Sequence, residues 1–107
     1  MPINSRNKGA VGERELSAYL AERGFPARRG QQFKGGGDSP DVQCEGLARF
    51  HIECKRVEKG NPYEWFEQAK RDGVGKIPVV MHRKNRKDWL VVMRLDDFLQ
   101  LEICRPL

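Results

Sequence analysis

Long apolar runs, cysteines and repeats are all scarce in this chain of 107 residues. No apolar stretch approaches the ~18 residues that a membrane-spanning helix needs, so the sequence predicts neither a membrane span nor a signal peptide. The three cysteines are an odd number without metal-ligand spacing, which argues against a disulfide framework and a zinc site. The only low-complexity segment is Gly35-Gly36-Gly37. We therefore expect one reduced, cytoplasmic domain over 1–107, with 1–8 as a flexible arm.

Positive charge is what the chain has in excess, with a formal net charge of +5 and a pI of about 9.4. Residues 1–37 carry seven Lys or Arg against three acids, and residues 62–87 again carry seven against three. The stretch 38–61 between them has five acids and four bases. Basic flanks around an acidic centre suit a metal site that receives a phosphate backbone. A merely soluble basic domain fits the composition equally well.

The acidic centre contains two stretches in which apolar and polar residues alternate with the period of two that is typical of strands. The apolar set is Val42, Cys44, Phe50, Ile52 and Cys54, and the polar set is Asp41, Gln43, Glu45, Arg49, His51, Glu53 and Lys55. A three-residue loop over 46–48 predicts an antiparallel hairpin with one buried face and one polar face. In that register Glu45 pairs with Arg49, and Asp41 lies directly across from Glu53.

Two directly opposed carboxylates repel each other, so a sheet normally avoids this pairing. A divalent cation between Asp41 and Glu53 would remove the repulsion, since hard cations bind oxygen ligands. Lys55 leaves the strand on the same face as Glu53 and would place an ammonium beside the cation. This arrangement is suited to cutting a phosphodiester. The alternative is an ordinary exposed sheet face on which Glu and Lys alternate, because motifs this short also occur by chance.

A helix over 9–23 is predicted ahead of the hairpin, with Gly24 after its end. Val11, Leu16, Tyr19 and Leu20 form a partial apolar stripe that also contains Glu13. A buried acid needs a partner, which is usually a metal or a base. Glu13 is therefore a candidate third acid of the site, although a carboxylate at the edge of the stripe could also simply reach solvent. Gly9 and Gly12 would let this helix approach a sheet closely.

The remaining elements are a strand over 25–29, a glycine-rich loop over 30–39 and, after the hairpin, a helix capped by Asn61 that ends near Asp72-Gly73. Gln68 lies close to the buried side of that helix. The continuous apolar run 77–82 predicts a buried strand. A basic turn over 83–88, a strand over 89–93 and a short helix capped by Asp96 or Asp97 complete the chain. The order predicts an α/β fold with a mixed sheet.

Taken together, Glu13 on the first helix, Pro40-Asp41, Glu53-Cys54-Lys55 and the helix with Gln68 resemble the PD-(D/E)XK nuclease superfamily. The segment 8–16 followed by Gly24-Phe25 is similar to the archaeal-type Holliday junction resolvases and their phage relatives. The resemblance covers nearly the whole chain, to about Phe98. It implies a restriction-endonuclease-like mixed sheet: a helix, a three-stranded antiparallel meander, a crossover helix, two further strands and a short C-terminal helix.

The resemblance also implies the roles of the site residues. Asp41, Glu53 and the backbone carbonyl of Cys54 would hold Mg²⁺, with Mn²⁺ as a substitute, and Glu13 would contact it directly or through water. Lys55 would orient the attacking water or stabilise developing charge, and Gln68 would complete the catalytic set. The candidate DNA contacts are the basic residues Lys8, Arg14, Arg29, Lys34, Arg56, Arg83, Lys84, Arg86 and Lys87.

These expectations describe a metal-dependent endonuclease for branched DNA, acting as a homodimer in the cytoplasm of a bacterium, an archaeon or a phage-infected cell. A nuclease of the same fold could instead act on nicked, single-stranded or duplex DNA. A third hypothesis is a basic nucleic-acid-binding module without catalysis. It predicts no metal-dependent cleavage of any DNA.

Overall fold

The computed structural model describes residues 5–30 and 40–107, with side chains from Gly9 onward in the first range. Helix α1 spans Ser5–Glu22 and is followed by strands β1 (Ala27–Arg29), β2 (Val42–Cys44) and β3 (Phe50–Lys55). Helix α2 (Pro62–Asp72), strands β4 (Ile77–His82) and β5 (Leu90–Val92) and helix α3 (Leu95–Leu99) complete the chain. The five strands form one sheet in the order β1-β2-β3-β4-β5. The predicted element order and mixed α/β class are confirmed.

Shorter connections join antiparallel neighbours in this sheet, and the long crossover through α2 joins the parallel pair β3 and β4. Strands β1, β2 and β3 form an antiparallel meander, and β4 lies parallel to β3 because the crossover through α2 reverses the chain between them. Strand β5 returns antiparallel to β4. The pair Val42 and Ile52 confirms the predicted register of the central hairpin. Its loop is longer than predicted, because a 3₁₀ turn over Glu45–Leu47 intervenes and leaves Glu45 and Arg49 outside the strands.

Both faces of the sheet are covered by helices. On one face Leu16 of α1 packs into the main core with Val42, Cys44, Ile52 and Val79. On the other face α2 packs on β3 and β4, and its Ala69 is fully buried. The prediction that only one face of the hairpin is buried was therefore wrong. Period-two alternation distinguishes the apolar face from the polar face, but it cannot show that the polar face lies beneath a helix.

Close packing of α1 on the sheet depends on Gly12. A Cβ atom at this position would lie 2.6 Å from the Cβ of Arg56, whereas a Cβ at Gly9 would meet nothing within 4 Å. The predicted close approach is thus confirmed for Gly12 and wrong for Gly9. Val11, predicted on the apolar stripe, is exposed.

Helix ends differ from the expectations in two places. Helix α1 begins at Ser5, so four residues of the predicted arm are helical, and residues 1–4 lie outside the described residues. Helix α3 is capped by Arg94 and not by Asp96 or Asp97, which fall in its first turn. The start of α2 is as predicted, since the Asn61 side chain accepts a hydrogen bond from the Tyr63 N–H and Pro62 follows it. None of the described helices has the length and apolar composition needed to cross a bilayer.

Exposed apolar side chains are concentrated in the last part of the chain, on β5, on α3 and just after it. They are Leu90, Val91, Leu95, Phe98, Leu99 and Ile103.

Candidate active site

Asp41 and Glu53 meet where β2 begins beside the middle of β3. The backbone N–H of Asp41, just before β2, donates to the carbonyl of Ile52 over 2.9 Å and holds Asp41 against β3. The Asp41 side chain shares a hydrogen bond with the Glu53 carboxylate, and its Oδ2 accepts from the backbone N–H of Cys54 over 2.9 Å. The predicted juxtaposition of these two acids is therefore present.

The electrostatics of Asp41 reflect this crowding. Burial, followed by the adjacent Glu53 carboxylate and a smaller repulsion from Glu13, raises the pKa of Asp41 from 3.8 to about 8. The N–H of Cys54 acts in the opposite direction, because it stabilises the ionised carboxylate. At neutral pH Asp41 therefore retains its proton unless a cation replaces it.

Lys55 stands one residue beyond Cys54, on the side of β3 that faces α2. Its Nζ donates to Oε1 of Gln68 over 3.2 Å, so a side-chain hydrogen bond joins the end of β3 to the middle of α2. The amide of Gln68 accepts without removing charge from the ammonium. The Lys55 ammonium is thereby restrained at one position, and Lys55 leaves β3 on the same face as Glu53.

Glu13 approaches the site from α1. It is 8% exposed, and its Oε2 accepts from Nε of Arg29 over 2.9 Å. The partner of this buried acid is thus a base, Arg29. Glu13 is also close enough to Asp41 to raise the pKa of Asp41. The same ion pair involves Arg29, which the sequence placed among the DNA contacts.

His51 is the residue of the site that sequence reasoning underestimated. It is 1% exposed, and its Nε2 lies 3.0 Å from Oε1 of Glu53, which is itself 2% exposed. The local signal was the two-residue spacing from Glu53, which places both side chains on one strand face. The burial of His51 had no local sequence signal, because it depends on close packing by Gly73 of α2. A Cβ atom at Gly73 would lie 2.6 Å from the Cβ of His51.

The donor set of the acidic pair fits a hard divalent cation. Two adjacent carboxylates can both bind one cation, and Mg²⁺ commonly uses one or two carboxylates together with waters and substrate phosphates. Within residues 5–30 and 40–107, no three side chains of His, Cys, Asp or Glu come together as a complete cation cage. A cation here would therefore also need backbone, water or phosphate oxygens.

Two of the predicted DNA contacts are engaged with an acid of α1. Arg56 and Arg83 both donate to Glu15, and Arg56 also donates to Glu58 and Asn85. The Arg56 and Arg83 side chains are 19% and 31% exposed. This cluster ties α1 to the ends of β3 and β4. Sequence reasoning did not find Glu15, because its partners lie 41 and 68 residues away.

The other basic candidates are distributed over several parts of the surface. Arg14 is exposed on α1, and Lys84, Arg86 and Lys87 are exposed in the turn between β4 and β5. Lys8 belongs to the first turns of α1, and Lys34 lies outside the described residues together with most of the glycine-rich loop.

The fold has a counterpart of known structure. The chain is similar to the Holliday junction resolvase Hjc of the archaeal hyperthermophile Archaeoglobus fulgidus, with a TM-score of 0.56 and 24% sequence identity over 76% of this chain and 72% of that one. This similarity establishes a restriction-endonuclease-like sheet, as the sequence predicted. No curated protein matches the chain.

A family model identifies the class of protein more directly. The model described as "Phage putative PDDEXK endonuclease" matches residues 4–104, nearly the whole chain. The chain belongs to this family and is therefore an endonuclease of the PD-(D/E)XK type. The predicted superfamily and its phage branch are confirmed.

Proposed function

We propose that this chain is a divalent-metal-dependent DNA endonuclease that cuts branched DNA as a Holliday junction resolvase. The observation that carries the proposal is the hydrogen-bonded pair of Asp41 and Glu53, with Lys55 on the same strand. Membership of a PD-(D/E)XK endonuclease family supports nuclease chemistry. The junction as substrate is supported by the similar fold of a protein described as a Holliday junction resolvase.

In this proposal Asp41, Glu53 and the backbone carbonyl of Cys54 hold Mg²⁺, with Mn²⁺ as a substitute. Glu13 contributes directly or through water, and while it is paired with Arg29 the contact through water is the simpler arrangement. The cation supplies Lewis-acid polarisation of the phosphodiester. The cysteine side chain takes no part, because burial raises the pKa of the Cys54 thiol far above its usual range and keeps the thiol neutral.

Lys55 acts through a fixed positive charge. Negative charge accumulates on phosphoryl oxygens as the bond breaks, and a charge that is already in place stabilises it without reorganisation. Gln68 restrains the Nζ atom through their hydrogen bond. Gln68 is thus a positioning residue for Lys55.

Four-way junctions also impose a requirement on the assembly. Resolving a junction takes two symmetric cuts, and one chain carries one such site, so the proposed enzyme is a homodimer with two-fold symmetry. Light scattering coupled to size-exclusion chromatography measures this directly. A chain that remains monomeric when it is bound to a junction contradicts this part of the proposal.

Three substitutions test the site: Asp41→Asn, Glu53→Gln and Lys55→Ala. Each should abolish Mg²⁺-dependent cleavage of a labelled four-way junction and leave its binding largely intact in a gel-shift assay. Lys76→Ala is a matched control for the lost lysine, because Lys76 is exposed and precedes β4, at the opposite end of the sheet from Lys55. Wild-type rates in the three site variants would refute the assignment.

A second experiment tests the choice of substrate. Cleavage of a four-way junction is compared with cleavage of a matched linear duplex, a nicked duplex and a single strand at one salt concentration, because DNA affinity depends strongly on salt. A preference for the junction supports a resolvase. Equal cutting of the duplex supports a general nuclease, and no metal-dependent cutting of any DNA supports a binding module.

A further inference from the structure

His51 is buried directly behind the proposed cation site. Its side chain is 1% exposed, and the Glu53 side chain that it contacts is 3% exposed. The contact joins Nε2 of His51 to Oε1 of Glu53 over 3.0 Å. Because a carboxylate oxygen accepts a hydrogen bond, the imidazole nitrogen is the donor.

This hydrogen bond restrains the orientation of the Glu53 carboxylate. Glu53 is also hydrogen-bonded to Asp41, so its carboxylate is held from two directions. The imidazole is also closely packed, since a Cβ added at Gly73 of α2 would lie 2.7 Å from the His51 Cγ. A side chain fixed in this way determines the direction in which the carboxylate of Glu53 points.

We propose that His51 is a positioning residue that orients Glu53 for the divalent cation. The inference rests on the proposed function, since it assumes that Glu53 binds the cation. Groups that hold metal ligands in place commonly change metal affinity roughly 10- to 100-fold when they are removed. His51 would act through Glu53 alone and would not touch DNA or the cation.

A second buried histidine provides an internal comparison. His82 lies in β4, its Nε2 is 2.9 Å from the backbone carbonyl of Val57, and its ring packs on Trp65 with centroids 4.6 Å apart. His82 is 9% exposed and belongs to the same sheet. It has no described contact with either acid of the pair. Changes at His82 should therefore alter stability without altering metal affinity.

The test is a pair of polar substitutions that differ in reach. In His51→Gln the side-chain amide nitrogen can occupy the place of Nε2 and still donate to Glu53, whereas in His51→Asn the amide is too short. Mn²⁺ affinity is measured on the DNA-free proteins from the paramagnetic resonance signal of free Mn²⁺. Thermal unfolding in a chelator reports stability separately, and His82→Gln is the matched control.

We expect His51→Asn to bind Mn²⁺ roughly 10-fold more weakly than the wild type, with His51→Gln within about threefold and His82→Gln unchanged. Equal affinities for the Asn and Gln variants would overturn the proposal, as would an equal loss in His82→Gln. If His51→Asn does not fold, His51→Ala decides, because it also removes the donor: a roughly 10-fold loss of Mn²⁺ affinity supports the role, and retained affinity overturns it. A wild-type protein that binds no Mn²⁺ refutes the proposed function itself.

Discussion

Replacing Asp41 by Asn should stabilise the metal-free protein at neutral pH, although it should also abolish cleavage. The substitution mimics a protonated aspartic acid. The Asn Oδ1 can still accept from the backbone N–H of Cys54, and its amide can donate to Glu53. It removes only the ionisable group whose pKa is raised to about 8 by burial and by the neighbouring carboxylates.

The sign and size of the effect follow from the pKa of Asp41 in the two states. At pH 7 the unfolded chain has lost this proton, whereas the folded chain retains it, so the wild type is destabilised. One pH unit corresponds to about 1.4 kcal/mol, and the three units between 3.8 and 7 give an upper bound of roughly 4 kcal/mol. Because Asp41 is not fully buried, we expect about 2–4 kcal/mol. The wild-type free energy of unfolding should therefore fall as pH rises from about 4 to about 8 and then level off.

Urea unfolding in a chelator at several pH values measures this difference. The Asp41→Asn protein should exceed the wild type in free energy of unfolding at pH 7, and the gap should close near pH 4, where Asp41 is protonated in both states. Asp88→Asn removes an exposed carboxylate from the basic turn and should follow the wild-type profile. Parallel profiles for the wild type and Asp41→Asn would show that the acidic pair is not strained.

Three further predictions have defined outcomes. Gly12→Ala should lower stability by about 1–3 kcal/mol in urea unfolding, since the new methyl group collides with Arg56, whereas Gly9→Ala should raise it by about 0.5–1 kcal/mol; equal effects would contradict the packing of α1. Asn61→Ala should cost about 1 kcal/mol through loss of the α2 cap and leave the cleavage rate per folded molecule unchanged; a lost rate would mean that the start of α2 takes part in catalysis. Mn²⁺ should raise the melting temperature of the wild type and leave that of Glu53→Gln unchanged, as measured by calorimetry; an equal rise in both would place the cation elsewhere.

Much of the site could be predicted because its residues are close in sequence or have strong local signals. Asp41 and Glu53 belong to one hairpin, so the register alone placed them opposite each other, and Val42 pairs with Ile52 as that register requires. The place of Gln68 near the buried side of a well-capped helix was predicted from its spacing, whereas its hydrogen bond with Lys55 was not. The bounds of β4 were predicted because a continuous apolar run indicates a strand covered on both faces.

The amino-acid sequence by itself determined the order of the elements, the register of the hairpin and the identity of the acidic pair, because each depends on short-range alternation and turn chemistry. Only the tertiary structure decided what surrounds that pair. Helix α2 buries His51 against Glu53, and Glu15 is paired with two arginines from distant strand ends. Such contacts arise when a helix docks on a sheet, and local periodicity contains no information about which helix covers which face.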